Sequence, residues 1–325
     1  MLAGAALRSA FGYGPAMKTL LALLGFALPM AAQAAANRPF TVAETGRGFA
    51  RLADAVAAIG TGTGTIVIAP GVHRQCAVQA AGNITFRAAT PGGAIFDGTT
   101  CEEKAALVLR GRSANVEGLV FRNMRVPDRN GAGIRLERGD LSVSGSAFRD
   151  SEEGILTHDD PRATIRIDRS TFSRLGRCDD DFDCAHSIYA GQYGQLIVTN
   201  SRFEAGTGGH YVKSRAAHVE LRGNVFDDRA GHATNYMIDL SNGSAGVIRG
   251  NMMVQGRDKD NHSAFITIAP EGREHDSTAL VVSGNSAAFA SGVRRSSTFV
   301  ANWTGDRPRI TGNRLAPRIR VTDRR

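Results

Sequence analysis

The chain has 325 residues and a formal net charge of +8, and 42% of its residues are hydrophobic. Its positive charge suits an acidic polymer as a partner, whereas nucleic acid is not expected for a chain that is exported. After the first residues no linker-like stretch interrupts the sequence, which excludes a string of separate domains.

The first residues have the composition of a targeting segment. Lys18 precedes an apolar run, Leu20 to Met30, and Ala32 to Ala34 provides a small-x-small cleavage pattern. We therefore predict a signal peptide over residues 1–34, with Met17 as an alternative start, and a periplasmic or secreted protein. Removing this segment takes away two basic residues and no acidic one, so the mature charge is about 8 − 2 = +6. No membrane association is expected after processing.

A short helix is predicted next. From Thr45 onward, Phe49, Leu52, Val56 and Ile59 fall on one helical face. A strand-like segment, TIVIA, follows it. A helix in this place would cap the open end of a stacked structure, where core and strand edge would otherwise be exposed.

The rest of the chain repeats one phrase, in which an aliphatic residue is followed by small or polar residues and then a phenylalanine. The clear copies end at Phe121, Phe148, Phe172, Phe203 and Phe226, and degenerate copies continue beyond them. The steps between copies are 27, 24, 31, 23, 27, 34 and 28 residues. Self-similarity at this period predicts a solenoid, because one repeat cannot bury its own apolar face.

Each repeat alternates with period two and carries a second short strand, such as GIRLE, SIYAG or MIDLS, with no helical pattern between the strands. This describes one coil of a parallel β-helix. We predict an all-β solenoid domain over residues 35–316, a frayed basic tail over residues 317–325, and a monomer.

Two internal columns follow from the stacking. The phenylalanines should stack as core filling. Asn224, Asn251, Asn285 and Asn313 occupy one position of successive phrases. Because coils stack at about 4.8 Å, these amides should form a hydrogen-bonded ladder, although asparagine also marks turns.

Four cysteines in an exported chain predict two disulfides. Cys178 and Cys184 bracket an acidic run, and Cys76 and Cys101 are about one coil apart. A thiol metal site is not expected, because paired CxxC spacing is missing. The acidic run, residues 179–183, offers oxygen ligands for calcium, but an ordinary solvated loop is the favoured interpretation. We otherwise expect no cofactor.

Outward-facing polar residues form a candidate site. When the second strands are aligned on their inward aliphatic residues, Tyr189, Lys213 and Asp239 fall in one column, with Arg215 beside Lys213. A solvated, salt-bridged surface is the alternative. The catalytic candidates are Lys213, Tyr189, Arg215, His210 and Asp239. The substrate-binding candidates are His158, His186, Tyr236 and Asn242.

The segment TIVIAPGVH and the repeated coils resemble secreted right-handed parallel β-helix proteins of the pectin-lyase superfamily. The segment TGGHYVKSRAAHVELRGNVF resembles the coil that carries the catalytic lysine of chondroitinase-B and alginate-lyase type polysaccharide lyases, and Lys213 matches that lysine. Those enzymes carry a catalytic arginine on the next coil, where this chain has Ser241. The resemblance implies a lyase, with the arginine's role left to Arg215 or to no residue.

A lyase acting on a uronate polymer by β-elimination is the first hypothesis. It needs a neutralised carboxylate, a base and an acid, which Arg215, Lys213 and Tyr189 or a histidine could supply. Asp239 would favour the charged form of Lys213. It could therefore orient the lysine instead, or Tyr236 could be the base.

The alternative is a non-catalytic glycan-binding or envelope protein that uses the same groove. A C5-epimerase rests only on the run from His158 to Pro161. A glycoside hydrolase is disfavoured, because adjacent Asp159 and Asp160 should face opposite ways.

Overall fold

A computed structural model describes residues 38–179 and 182–325, and the predicted signal peptide lies outside this part of the chain. Short strands from successive repeats pair in parallel and build three long sheets, which confirms the predicted parallel β-helix. One helix, α1 (Leu52–Ile59), lies at the N-terminal end of the described solenoid.

The strands are numbered in chain order and distributed over three sheets and one hairpin. Sheet 1 contains β1 (Phe40–Val42), β2 (Arg47–Phe49), β3 (Thr63–Ile68), β6 (Asn83–Ala88), β9 (Ser113–Glu117), β12 (Asp140–Ser144), β15 (Asp160–Asp168), β20 (Tyr193–Thr199), β23 (His218–Arg222), β26 (Ala245–Arg249), β29 (Val281–Ser283) and β32 (Arg309–Thr311). Sheet 2 contains β4 (Gly71–His73), β7 (Ala94–Asp97), β10 (Leu119–Arg122), β13 (Ala147–Arg149), β16 (Thr171–Ser173), β21 (Arg202–Glu204), β24 (Val225–Asp227), β27 (Met252–Gln255), β30 (Ser286–Phe289) and β33 (Arg314–Leu315). Sheet 3 contains β5 (Ala77–Gln79), β8 (Ala105–Leu109), β11 (Ala132–Leu136), β14 (Glu153–Thr157), β19 (Ile188–Ala190), β22 (Val212–Ser214), β25 (Ile238–Leu240), β28 (Ala264–Ile268), β31 (Ser297–Asn302) and β34 (Ile319–Arg324). The hairpin consists of β17 (Arg177–Asp179) and β18 (Phe182–Ala185).

The phenylalanines of sheet 2 fill the interior, as predicted. They pair in exact register along the axis, and their ring centroids from Phe96 to Phe226 lie 4.8–5.4 Å apart. Every one of these rings is buried. This continuous stack fixes the axial spacing at which the outward side chains of each coil are presented.

The predicted asparagine ladder is also present. Nδ2 of Asn224 donates to Oδ1 of Asn251 at 3.0 Å, and the same bond joins Asn251 to Asn285 and Asn285 to Asn313 at 2.9 Å. Each amide oxygen also accepts the backbone N–H of the preceding asparagine. The ladder therefore satisfies backbone groups that the turns would otherwise leave unpaired.

The N-terminal cap differs from the prediction in part. The helix begins at Leu52 and not near Thr45, because the preceding residues form β2, which pairs antiparallel with β1. Gly46 has a φ of +66°, which suits the turn between these two strands. The prediction placed Phe49 on the helix because its position fits the helical period. In the structure Phe49 lies in β2, and its ring packs into the core from that strand.

The C-terminal residues are ordered into the solenoid, which corrects the expectation of a frayed tail. β34 pairs in parallel with β31, from Ile319 opposite Ser297 to Arg324 opposite Asn302. A single buried position, Ile319, anchors this last strand.

Both predicted disulfides are formed. Cys76 is bonded to Cys101, and Cys178 to Cys184 across the hairpin of β17 and β18. The acidic run proposed as an alternative calcium site includes residues 180 and 181, which lie outside the described residues. None of the described residues forms a helix that is long and apolar enough to cross a membrane.

Candidate functional site

The predicted polar column lies on the outer face of sheet 3. Tyr189 pairs with Lys213 and Lys213 with Asp239 in the parallel register of β19, β22 and β25. The strand residues that precede them in sequence, Ile188, Val212 and Ile238, are fully buried in the core. Alternation along each short strand therefore turns the three polar side chains outward, as the sequence indicated.

One carboxylate, which sequence reasoning missed, connects the two cations of this column. Glu271 pairs through Oε1 with Nζ of Lys213 and through Oε2 with Nη2 of Arg215. Burial by itself would raise the pKa of Glu271, but Lys213 and Arg215 outweigh it and leave that pKa below its ordinary value. The pair of cations therefore binds an ionised carboxylate.

Arg215 also contacts the two neighbouring coils. Its Nε donates to the Tyr189 hydroxyl at 2.9 Å, and its Nη1 donates to Oδ1 of Asn242. Tyr189 lies below both cations, with Nζ of Lys213 5.6 Å from its ring centroid. Lys213, Arg215, Tyr189, Asn242 and Glu271 thus form one connected cluster, which we call the central site.

The loop that carries Glu271 follows β28 and reaches back over three coils, those of β25, β22 and β19. The Glu271 N–H donates to Ser241 O at 3.1 Å, and Nε2 of Gln192 donates to Oε2 of Glu274 at 2.8 Å. A ring nitrogen of His275 lies 3.1 Å from Arg215 O. The loop falls in the longest repeat of the phrase, 34 residues, and that length was the one sequence signal for it.

Asp239 does not pair with Lys213, contrary to the expected effect of its charge. It is 1% exposed, and its carboxylate accepts the hydroxyls of Thr267 at 2.6 Å and Ser241 at 2.7 Å. Oδ2 also lies 3.7 Å from Nε2 of His210. Ser241 occupies the position where the lyases carry their arginine, and here its hydroxyl bonds to Asp239.

A second column runs along the starts of the same strands. The rings of His186 and His210 stack with centroids 5.0 Å apart, and those of His210 and Tyr236 stack at 5.5 Å. The His210 N–H donates to Nδ1 of His186 at 3.0 Å, so a neutral His186 carries its proton on Nε2. Burial lowers the pKa of both histidines, and Asp239 opposes this only at His210.

These three rings are nearly inaccessible, so they form the floor of the groove and not its open surface. The Tyr236 hydroxyl accepts from Nδ2 of Asn261 at 2.7 Å, on the side away from Lys213. His158 lies apart from the central site, at the rim of a neighbouring cleft that Tyr189 also lines.

Among the described residues, no group of three or more His, Cys, Asp or Glu side chains could hold a metal ion. The completely buried pair of Asp228 and Lys259, 3.2 Å apart, is a structural anchor: Asp228 also accepts from Tyr211 and Thr234.

The solenoid and its outward groove define a parallel β-helix protein. The family model described as "Right handed beta helix region" matches residues 105–313, which is more than half of the chain. The chain therefore belongs to the right-handed β-helix family, which agrees with the resemblance to the pectin-lyase superfamily.

Three solved structures of low sequence identity are similar to this chain to different degrees. Geobacillus virus E2 ORF18 has a TM-score of 0.51 and 12% identity, over 83% of this chain and 56% of that one. An alginate lyase of the PL6 family, AlyGC, has a TM-score of 0.47 and 14% identity, over 81% and 38%. A pectin methylesterase variant in complex with a hexasaccharide has a TM-score of 0.33 and 13% identity, over 80% and 68%.

The chain thus spans little more than half of the first of these structures and under two fifths of the second. The likeness to the first of these structures shows the fold and nothing finer. No curated protein matches the chain.

Proposed function

We propose that this protein acts on a uronate-containing polysaccharide outside the cytoplasm, as a lyase that cleaves by β-elimination. The observation that carries this proposal is the joint binding of one carboxylate, that of Glu271, by Lys213 and Arg215 beside the Tyr189 hydroxyl. A uronate presents the same group, so the central site has the charges to hold it.

The reach of Arg215 supports its role as the cation that neutralises the substrate. Its Nη1 bonds to Asn242. The preceding residue, Ser241, is at the position where the lyases that this coil resembles carry their arginine. A guanidinium that starts on the lysine's coil but ends over the next coil can replace an arginine of that next coil. Its planar fork suits a carboxylate better than an ammonium does.

In the proposed reaction, the substrate carboxylate replaces Glu271 on Arg215. The freed Lys213 first releases a proton to water. As a neutral amine it then takes the C5 proton, and the electrons of that C–H bond form the C4–C5 double bond. The C4–O bond breaks, and the leaving oxygen takes the proton of the Tyr189 hydroxyl. Exchange with water then returns the proton from Lys213 to Tyr189.

A binding protein without catalysis is the second candidate, and one observation favours it. Lys213 is paired with Glu271, and an ammonium held by a carboxylate cannot accept a proton. If Glu271 stays in place when the polymer binds, the central site recognises acidic sugars and does no chemistry.

The test measures the ultraviolet absorbance of new unsaturated uronates after incubation with alginate, pectin and glycosaminoglycans. Lys213→Ala should reduce product formation by about 100-fold or more, because the base is lost, with the circular dichroism unchanged. Lys104→Ala is the matched control, since Lys104 is also ion-paired, to Glu137 at 2.7 Å. It should change the rate by less than about twofold.

Two outcomes would overturn the proposal that the central site catalyses β-elimination. One is a wild-type protein that binds a polymer in a salt-sensitive way yet releases no unsaturated product, which leaves the binding function. The other is equal turnover by Lys213→Ala and wild type, which removes the central site from the chemistry.

A further inference from the structure

A cleft of about 300 Å³ opens beside the central site, on its N-terminal side. This volume is at the lower end of the range of small-molecule sites, about 300–1,000 Å³. Its lining residues come from the coils of β11, β14 and β19 and from the disulfide-closed hairpin. They include Arg135, Glu153, Leu156, His158, Asp183 and Tyr189.

Two polar groups in the lining are buried and lack partners among the described residues. Oε2 of Glu153 accepts no hydrogen bond, although the side chain is 1% exposed, and Nε of Arg135 donates none. The other oxygen, Oε1, accepts the His186 N–H at 3.3 Å. Unsatisfied buried polar groups are costly, and a bound ligand is one way to satisfy them.

Arg135 differs in its ion pairing from Arg110, the arginine of the preceding coil. Within the described part of the chain Arg135 has no ion pair, whereas Arg110 in the preceding coil is bound to Glu102 and Glu137. Burial raises the pKa of Glu153 well above its ordinary value, and the nearby Arg135 offsets this only in part. Glu153 is thus a neutral carboxyl with an O–H to donate, beside an unpaired cation.

The cleft and the central site are continuous. Arg135 pairs with Leu156, Leu156 with Tyr189, and Tyr189 with Lys213 in the register of sheet 3. Three coil steps separate Arg135 from Lys213, which is about 14 Å along the axis. Tyr189 belongs to both, so a chain lying along the groove would contact both.

We propose that this cleft is a second sugar subsite, in which Arg135 binds the carboxylate of another uronate of the same chain and Glu153 donates a hydrogen bond to it. The identity of the ligand rests on the proposed function, whereas the cleft itself rests on its own unpartnered groups. Of the two other acidic residues in the lining, Asp159 is engaged by the Gln192 N–H, which bonds to its Oδ1 at 2.7 Å, and Asp183 is exposed.

The test compares the binding of disaccharides and hexasaccharides prepared from alginate, pectate and chondroitin, by isothermal titration calorimetry. Arg135→Gln should weaken hexasaccharide binding about 10-fold and leave disaccharide binding at the central site unchanged. Glu153→Ala should act likewise, while Glu153→Gln, which keeps a neutral donor, should stay within about twofold of wild type. Arg138→Gln, an exposed arginine two residues beyond β11, is the control.

The variants separate this proposal from the function on which it rests. If Lys213→Ala abolishes hexasaccharide binding and Arg135→Gln leaves it intact, the second subsite is overturned and the central site is not. If Arg135→Gln weakens hexasaccharide binding and Lys213→Ala leaves it intact, the second subsite is supported and the central site is overturned. A wild-type protein that binds hexasaccharides no more tightly than disaccharides overturns the subsite as well.

Discussion

At the scale of single residues, Glu271 controls whether a ligand can bind to the two cations of the central site. Its carboxylate occupies the position between Lys213 and Arg215 that the proposed substrate needs, so the two must compete. The charged pair is partly exposed, with Glu271 38% accessible, so exchange with a ligand requires no unfolding. The residue is an internal carboxylate that the polymer has to displace.

We expect Glu271→Gln to tighten the binding of uronate hexasaccharides by about 10-fold, because the amide keeps the shape of the side chain but no longer competes as an anion. Calorimetric titration at low salt measures this effect. The matched control is Glu274→Gln, which alters a carboxylate of the same loop that bonds to Gln192 and not to the cations. Equal weakening by both variants would mean that the loop is only structural.

At the scale of elements, the asparagine ladder links turns of successive coils. Asn251 is buried and bonds to Asn224 on one side, to Asn285 on the other, and to Leu221 O. Removing its amide leaves several buried donors and acceptors without partners, and each of these costs free energy.

Asn251→Ala should therefore lower the free energy of unfolding by about 2–3 kcal/mol, as measured by urea denaturation. Asn115→Ala is the control, because Asn115 is only partly buried and its amide makes one bond, to Thr85 at 3.2 Å. It should cost about 0.5 kcal/mol or less. A similar loss in both variants would show that the ladder adds nothing beyond single hydrogen bonds.

The elements that sequence predicted well are those with local, repeated causes. The phenylalanine stack, the ladder and the column of Tyr189, Lys213 and Asp239 all follow from period-two alternation combined with the repeat length. Both disulfides followed from the cysteine spacing and the predicted export. In these cases, the pattern within one coil and the repeat length determine which residues of the next coil lie beside it.

The parts that were missed depend on contacts between distant segments. Phe49 fits a helical face, but it lies in β2, which pairs with β1, and β1 pairs in turn with β3. Glu271 reaches Lys213 across 58 residues from a loop that does not follow the repeat. Asp239 was expected to act on Lys213, yet hydroxyls from its own and the next coil hold its carboxylate.

At the scale of the whole molecule, three buried groups set how stability depends on pH. Burial lowers the pKa of His186 and His210 and raises that of Glu153. The histidines are neutral when folded but charge on unfolding below about pH 6.5, so their contribution is full above that pH and is lost as pH falls. Glu153 is protonated when folded but ionises on unfolding above about pH 4.5, so its contribution is lost as pH rises.

Together these groups predict a stability maximum near pH 6.5. Below about pH 6.5, unfolding takes up as many as two protons at the histidines, and above about pH 4.5 it releases one from Glu153. Between these values stability should therefore rise with pH, by up to about 1.4 kcal/mol per pH unit. Above that range the histidines no longer contribute to the slope, and the release from Glu153 should lower stability until the folded carboxyl ionises. Urea denaturation from about pH 5 to about pH 8 measures both limbs.

Glu153→Gln isolates the falling limb, because an amide does not titrate. The variant should keep the rise below about pH 6.5, made steeper by the loss of the opposing proton, and should level off above it. The difference in unfolding free energy between variant and wild type should therefore grow with pH in favour of the variant. A wild-type protein whose stability is flat above about pH 6.5, or a variant that shows the same fall, would mean that Glu153 is ionised in the folded protein. Oε2 would then be a buried charge beside Arg135, and the cleft would hold an ion pair in place of a neutral donor and a free cation.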